Sequence, residues 1–152
     1  MKPLFILIAV FILGSVVSKI ATNHWNLIFS GNLAMLIMLC FTAMGHFMFT
    51  KGMIMMMPGF IPFKKELVYF TGMAEVLLGL GLLFPQYRHI SGIVLVVLFV
   101  LMLPANIHAA IKQVNFEKGT YDGNGLRYLW FRIPLQLFFI GWILFFSIKA
   151  SV

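Results

Sequence analysis

Five apolar runs restrict what this chain can fold into more than any other feature of it. A helix needs roughly 20 apolar residues to cross the hydrocarbon core of a bilayer. The runs extend from Pro3 to Ser18, with room to continue to Ile20, from Asn32 to Phe49, from Leu67 to Phe84, from Ile90 to Ile111 and from Tyr128 to Ile148. Composition decides the solvent. Hydrophobic residues make up 62% of the 152 positions and charged residues 10%, against about half and about a quarter in soluble domains. A water-soluble fold of this size has too little interior to hide that much apolar surface. The expectation is an all-α integral membrane helical bundle. No linker, internal repeat or low-complexity tract divides it, so it reads as one bundle.

The first run has two readings. Lys2, an apolar stretch and the small residues Gly14, Ser15 and Ser18 resemble a signal peptide. No A-x-A site follows, and Val16-Val17-Ser18-Lys19 is a poor cleavage sequence, which favours an uncleaved transmembrane helix over residues 1–20.

The net charge of +7 raises nucleic acid as a partner, but no stretch is polar enough to present a soluble basic face. The lipid bilayer is the expected partner instead. With five spans, the side bearing the N-terminus carries eight of the eleven basic residues: Lys2, Lys51, Lys64, Lys65, Lys112, Lys118, Arg127 and Arg132. The other side carries Lys19, Arg88 and Lys149. The positive-inside rule places the N-terminus in the cytoplasm and the C-terminus outside, in a cell (inner) membrane. Trp25, Phe60, Phe63, Tyr87, Tyr128 and Trp130 suit interfacial belts. Met57-Pro58-Gly59-Phe60-Ile61-Pro62 reads as a tight turn on the cytoplasmic side. Pro104 and Pro134 fall within spans, where a proline kinks its helix unless it sits in the first turn.

Polar side chains inside spans carry the functional argument, since an ionisable group there costs at least about 2.5–3.5 kcal/mol and usually faces the bundle interior. The candidates are His46, Glu75, Asn106, Arg132 and Gln136, with His108 read as a headgroup-level residue. Helical rise puts Glu75 and Gln136 roughly 12 Å below the cytoplasmic helix ends, and His46, Asn106 and Arg132 roughly 6–8 Å in. Four helices thus bring polar groups to one half, and none brings an acid or amide to the other. Arg132 and Gln136, four apart, share a face. Gly72, Glu75 and Gly79 form a small-residue stripe that lets another helix approach, and Gly45 beside His46 is expected to do the same. Glu75, the one acid within a span, needs Arg132 or His46 as partner.

Other chemistries find less support. Met53, Met55, Met56 and Met57 near His46 and Met48 raise soft-metal binding, but methionine is also a common gap-filler. Cys40 stands alone in an apolar run, so no disulfide, redox pair or thiolate cluster can form within the chain. G-x-S-x-G, P-loop and H-E-x-x-H signatures are absent. One acid and no repeat symmetry leave little machinery for a transporter.

An ordered series of segments resembles the DoxX family: Gly45-His46-Phe47, Met57-Pro58-Gly59-Phe60-Ile61-Pro62, Tyr69-Phe70-Thr71-Gly72-Met73-Ala74-Glu75, Leu103-Pro104-Ala105-Asn106-Ile107-His108-Ala109 and Arg132-Ile133-Pro134-Leu135-Gln136. The resemblance implies a four-helix membrane core, here over residues 31–149, with the first helix outside it as an accessory element. Some members of that family are linked to redox systems, among them a thiosulfate:quinone oxidoreductase subunit and a mycobacterial membrane oxidoreductase complex. Others act in membrane-protein assembly. The expected function is an accessory subunit of a membrane redox system, not catalytic alone. It would hold a quinone- or lipid-like molecule at His46, Glu75, Asn106, Arg132 and Gln136 and work with a redox partner protein. The alternative is a structural or chaperone-like protein whose polar cluster only fixes helix packing.

Overall fold

The spans form because an apolar segment in lipid must satisfy its own backbone hydrogen bonds, which a helix does. The structure, a computed structural model, describes residues 2–151. It contains α1 (Lys2–Thr22), α2 (Leu27–Met48), α3 (Thr50–Met56), α4 (Lys64–Leu83), α5 (Pro85–Ile111) and α6 (Leu126–Ile143). A π-helical turn over Leu144–Ile148 and a 3₁₀ turn over Lys149–Ser151 continue α6. All but α3 are long and apolar enough to cross a membrane, the last span running Leu126–Ile148. The chain is an all-α, multi-pass bundle.

The helices begin and end where capping allows, which is not where hydropathy changes. α2 starts at Leu27, before Asn32, because the Asn26 side chain accepts a hydrogen bond from the Phe29 N–H at 3.2 Å. α5 starts at Pro85, whose missing N–H costs nothing in a first turn. Only Phe84 separates α4 from α5, and Arg88 turns back to donate to the Leu82 carbonyl at 2.9 Å and the Leu83 carbonyl at 3.4 Å. That guanidinium meets the carbonyl end of α4, where a cation is favoured. Pro104 and Pro134 both lie inside helices that run on past them.

α2 is the central helix. Half of its span is buried, against 11% of that of α1. Met35, Met38 and Leu39 of α2 join Leu82, Leu95, Phe99, Phe139 and Ile143 in the main core. Large apolar side chains such as Leu13, Ile20, Phe70 and Leu101 point outward, the pattern of a bundle whose solvent is hydrocarbon. α1, expected outside the core as an accessory element, is the least buried of the spans. Yet Leu7 is fully buried, Phe11 meets Trp142 edge-on at 5.0 Å, and Phe11 also packs on Phe146 at 5.4 Å.

The short helix α3 has no counterpart in the hydropathy pattern, which showed only the turn after it. It lies against the end of the bundle that carries most of the basic residues. There Met56 packs with Ala109 and Val114, and the His108 ring meets the Met56 carbonyl at 3.0 Å. Gly52 makes this possible: a Cβ on it would run into the Phe116 carbonyl. α5 ends nearby in a Schellman motif, with Gln113 N–H on the Ala110 carbonyl at 3.2 Å and Val114 N–H on the Ala109 carbonyl at 2.8 Å. In the loop that follows, the Thr120 hydroxyl donates to the Asp122 carboxylate and holds it below the ordinary carboxylate pKa.

Candidate functional site

Residues of all five spans, of α3 and of the loop after α5 line a partly open cavity of about 610 Å³, and all five expected residues are among them: His46 from α2, Glu75 from α4, Asn106 from α5, and Arg132 and Gln136 from α6. His46, Glu75, Asn106 and Gln136 are buried, and Arg132 is half-buried. Small-molecule pockets commonly measure about 300–1,000 Å³ and are mainly apolar with a few convergent polar groups. Here the apolar wall is made of Phe and Met. Met38, Met44, Met48, Met53, Met56, Met57 and Met102, seven of the eleven methionines, contribute to it.

The polar residues fall into three groups rather than one network. On the α2–α4 wall, His46 Nδ1 meets the Val68 carbonyl at 3.0 Å. A carbonyl can only accept, so Nδ1 carries a hydrogen, and the Thr71 hydroxyl at 3.2 Å accepts from it as well. That leaves Nε2 facing Glu75 Oε1 at 3.7 Å. The gap exceeds hydrogen-bond length, so each atom retains capacity for a third partner between or beside them. Thr42 Oγ1 stands 3.0 Å from Glu75 Oε2 and 3.0 Å from the Leu39 carbonyl. Its single hydrogen serves one at a time. With Glu75 ionised, Thr42 donates to it; with Glu75 protonated, the carboxyl donates to Thr42, which donates onward to Leu39. The hydroxyl therefore accommodates either protonation state.

On the α5–α6 wall, Asn106 Nδ2 donates to Gln136 Oε1 at 3.3 Å, and Gln136 Nε2 donates to the Phe99 carbonyl. Asn106 Oδ1 accepts nothing among the described residues. The third group is Arg132, which donates to the Tyr128 hydroxyl and lies over the Tyr128 and Phe116 rings. Of the two partners expected for Glu75, the structure selects His46. Arg132 makes no ion pair among the described residues.

Close helix approach explains the first group. A Cβ on Gly72 would stand 2.9 Å from His46 Cβ, and one on Gly79 would stand 2.9 Å from Leu36 Cδ1. The stripe on α4 thus brings α2 in and sets Glu75 opposite His46. Gly45 does not act this way, because the atoms nearest a Cβ there, on Met53 and Phe49, are at ordinary contact distances of 3.7 and 3.8 Å.

The expectation that the other half of the bundle holds no buried amide fails at Asn32. Hydropathy placed it at a helix boundary, but α2 begins five residues earlier and Asn32 is fully buried. Its Nδ2 donates to the Ile28 carbonyl at 2.8 Å and to the Phe146 carbonyl at 3.1 Å, and its Oδ1 accepts from Ser147 at 2.6 Å. Trp142 Nε1 reaches the Gly31 carbonyl at 3.0 Å beside it. The π-helical turn supplies Phe146 and Ser147, and this second cluster fastens α2 to the end of α6.

Thr42 and Thr71 were not named as site residues from the sequence, and Tyr128 was read there only as an interfacial aromatic. A signal for them exists, since Thr42 precedes His46, Thr71 precedes Glu75 and Tyr128 precedes Arg132 by four residues each, the spacing of helical neighbours. Met53, Met56 and Met57 line the cavity, but no group of three or more His, Cys, Asp or Glu that could hold a metal occurs among the described residues. Cys40 is exposed.

No curated protein and no solved structure matches this chain. A family model described as a domain of unknown function (DUF8561) matches residues 33–147. That stretch runs from α2 into the π-helical turn and includes every cavity residue except Lys2 and Pro3 of α1. With well over half of its length matched, the chain belongs to the DUF8561 family.

Proposed function

We propose that the cavity holds the oxygen-bearing head of a quinone- or lipid-like amphiphile, in a protein that serves as an accessory subunit of a membrane redox system. The observation that carries the reading is the unfilled bonding capacity on two walls of one largely apolar cavity. His46 Nε2 and Glu75 Oε1 stand on one side and Asn106 Oδ1 on the other. A head with an oxygen at each end is bridged by such walls, and the His46–Glu75 pair gives or takes a proton at the oxygen nearest it. His46 holds its ring by Nδ1, so only Nε2 is offered, and Thr42 follows the charge of Glu75. Electrons come from a partner protein, as the side chains here supply hydrogen bonds and protons. The resemblance to DoxX proteins supports the redox setting. The excess of basic residues at the N-terminal side of the spans supports an orientation with that side in the cytoplasm of an inner membrane.

Thermal shift of the purified protein in a neutral detergent, with decylubiquinone and a short-chain menaquinone, tests the reading. At about 100 times its Kd a ligand stabilises by about 2.7 kcal/mol, a readily measured shift. Wild type is expected to rise in Tm, and Glu75→Gln and Asn106→Leu to rise less. No rise in wild type removes the proposal. A second reading, polar residues as packing devices, is favoured by the Asn32 cluster, which fastens helices without lining the cavity. It predicts that Glu75→Gln and His46→Ala lower the unliganded Tm while leaving any ligand-induced shift unchanged.

A further inference from the structure

Arg132 is a guanidinium in a transmembrane span with no acidic partner among the described residues. It stands six residues into α6, roughly 9 Å from the helix start, in the wall of the cavity. Of its five N–H donors, the Tyr128 hydroxyl takes one. Since that hydroxyl accepts from Arg132, its own hydrogen is free to donate. The rings of Tyr128 and Phe116, 5.3 and 6.0 Å from the guanidinium carbon, steady the charge without neutralising it. Lys2 lines the same cavity from the start of α1. Against these two cations stand Glu117, on the exposed side of the loop and bridged to neither, and Glu75, which faces His46. A cation in a span is ordinarily compensated, and here the protein leaves the compensation out.

We propose that the occupant of the cavity is itself anionic: an apolar chain bearing a single carboxylate or phosphate, which Arg132 and Tyr128 hold together. The inference rests on the cavity being a ligand site, as proposed above, and adds the charge of the ligand. The methionine- and phenylalanine-rich wall takes the chain, because unbranched thioether side chains adapt to an apolar ligand of irregular shape. The planar guanidinium has donors to spare for a carboxylate or phosphate fork, and the Tyr128 hydroxyl adds another.

Three ligands with the same 18-carbon chain, oleate, oleyl phosphate and oleyl alcohol, separate charge from greasiness when titrated into the full chain in neutral detergent. Binding is followed by thermal shift and native mass spectrometry, with decylubiquinone in parallel. Wild type is expected to bind oleate or oleyl phosphate at least about tenfold tighter than oleyl alcohol, and the better of the two identifies the head. R132Q loses that preference and keeps its affinity for the alcohol; R132K retains part of it; Tyr128→Phe weakens it. The proposal is overturned if wild type binds the alcohol as tightly as both anions, or if R132Q still prefers the anions. A decylubiquinone shift without anion preference removes this inference and leaves the earlier reading standing; no shift with any of the four ligands removes both. Should R132Q not fold, the wild-type comparison and R132K still decide.

Discussion

His46 spends its two ring nitrogens differently, and that difference governs what Glu75 can do. Nδ1 is committed to the Val68 carbonyl, so the ring is held in place and Nε2 is presented to the acid. The pair exists because two glycines on α4 let α2 come close, and this makes the glycines testable. Gly72→Ala puts a methyl 2.9 Å from His46 Cβ, and the helices must part to admit it. Overpacking of this kind costs about 1–3 kcal/mol, so a lower Tm and a disturbed His46 imidazole resonance are expected. Gly45→Ala, one residue from His46 but in ordinary contact space, should leave both unchanged. Equal effects of the two substitutions would contradict the packing described for α2 and α4.

At the scale of elements, α3 and the π-helical turn close opposite ends of the bundle. The turn carries the Phe146 carbonyl and the Ser147 hydroxyl that bond Asn32. α3 covers the other end through Gly52, whose missing side chain admits the Phe116 backbone. Backbone cannot swing aside as a flexible side chain can. Gly52→Ala is therefore expected to lift α3, with a stability loss of about 1–3 kcal/mol. Amide exchange over Thr50–Met56 should become faster, read by hydrogen–deuterium exchange mass spectrometry. Unchanged protection there would show that α3 is not held at Gly52. Because Met53 and Met56 belong to both α3 and the cavity wall, ligand affinity should fall in the same variant.

For the whole molecule, five spans put the two termini on opposite sides, and the distribution of basic residues proposes which is which. Native Cys40 is first replaced by alanine, an exposed position with no partner to lose. In that background, Lys149→Cys should react with a membrane-impermeant maleimide on intact cells, and Lys118→Cys only after permeabilisation. The reverse labelling pattern would invert the orientation. The His46–Glu75 pair lies in the half nearer the Lys118 side, so the same experiment states which compartment that half of the cavity adjoins.

The number of spans was legible from hydropathy alone, because lipid imposes one rule on every residue of a helix and twenty apolar positions in a row have few other uses. That His46, Glu75, Asn106, Arg132 and Gln136 belong to one part of the bundle was legible too, and all five line one cavity. Capping was less visible: Asn26 and Pro85 moved helix starts outward, and Asn32 passed from boundary to interior with them. What no local pattern holds is who meets whom across helices. That Glu75 faces His46 while Arg132 goes without an acid depends on the rotation of α4 and α6 against α2, and that α3 folds over the end depends on a carbonyl more than sixty residues away in the chain. Pairing is set by the simultaneous packing of several surfaces, and only the assembled bundle contains that information.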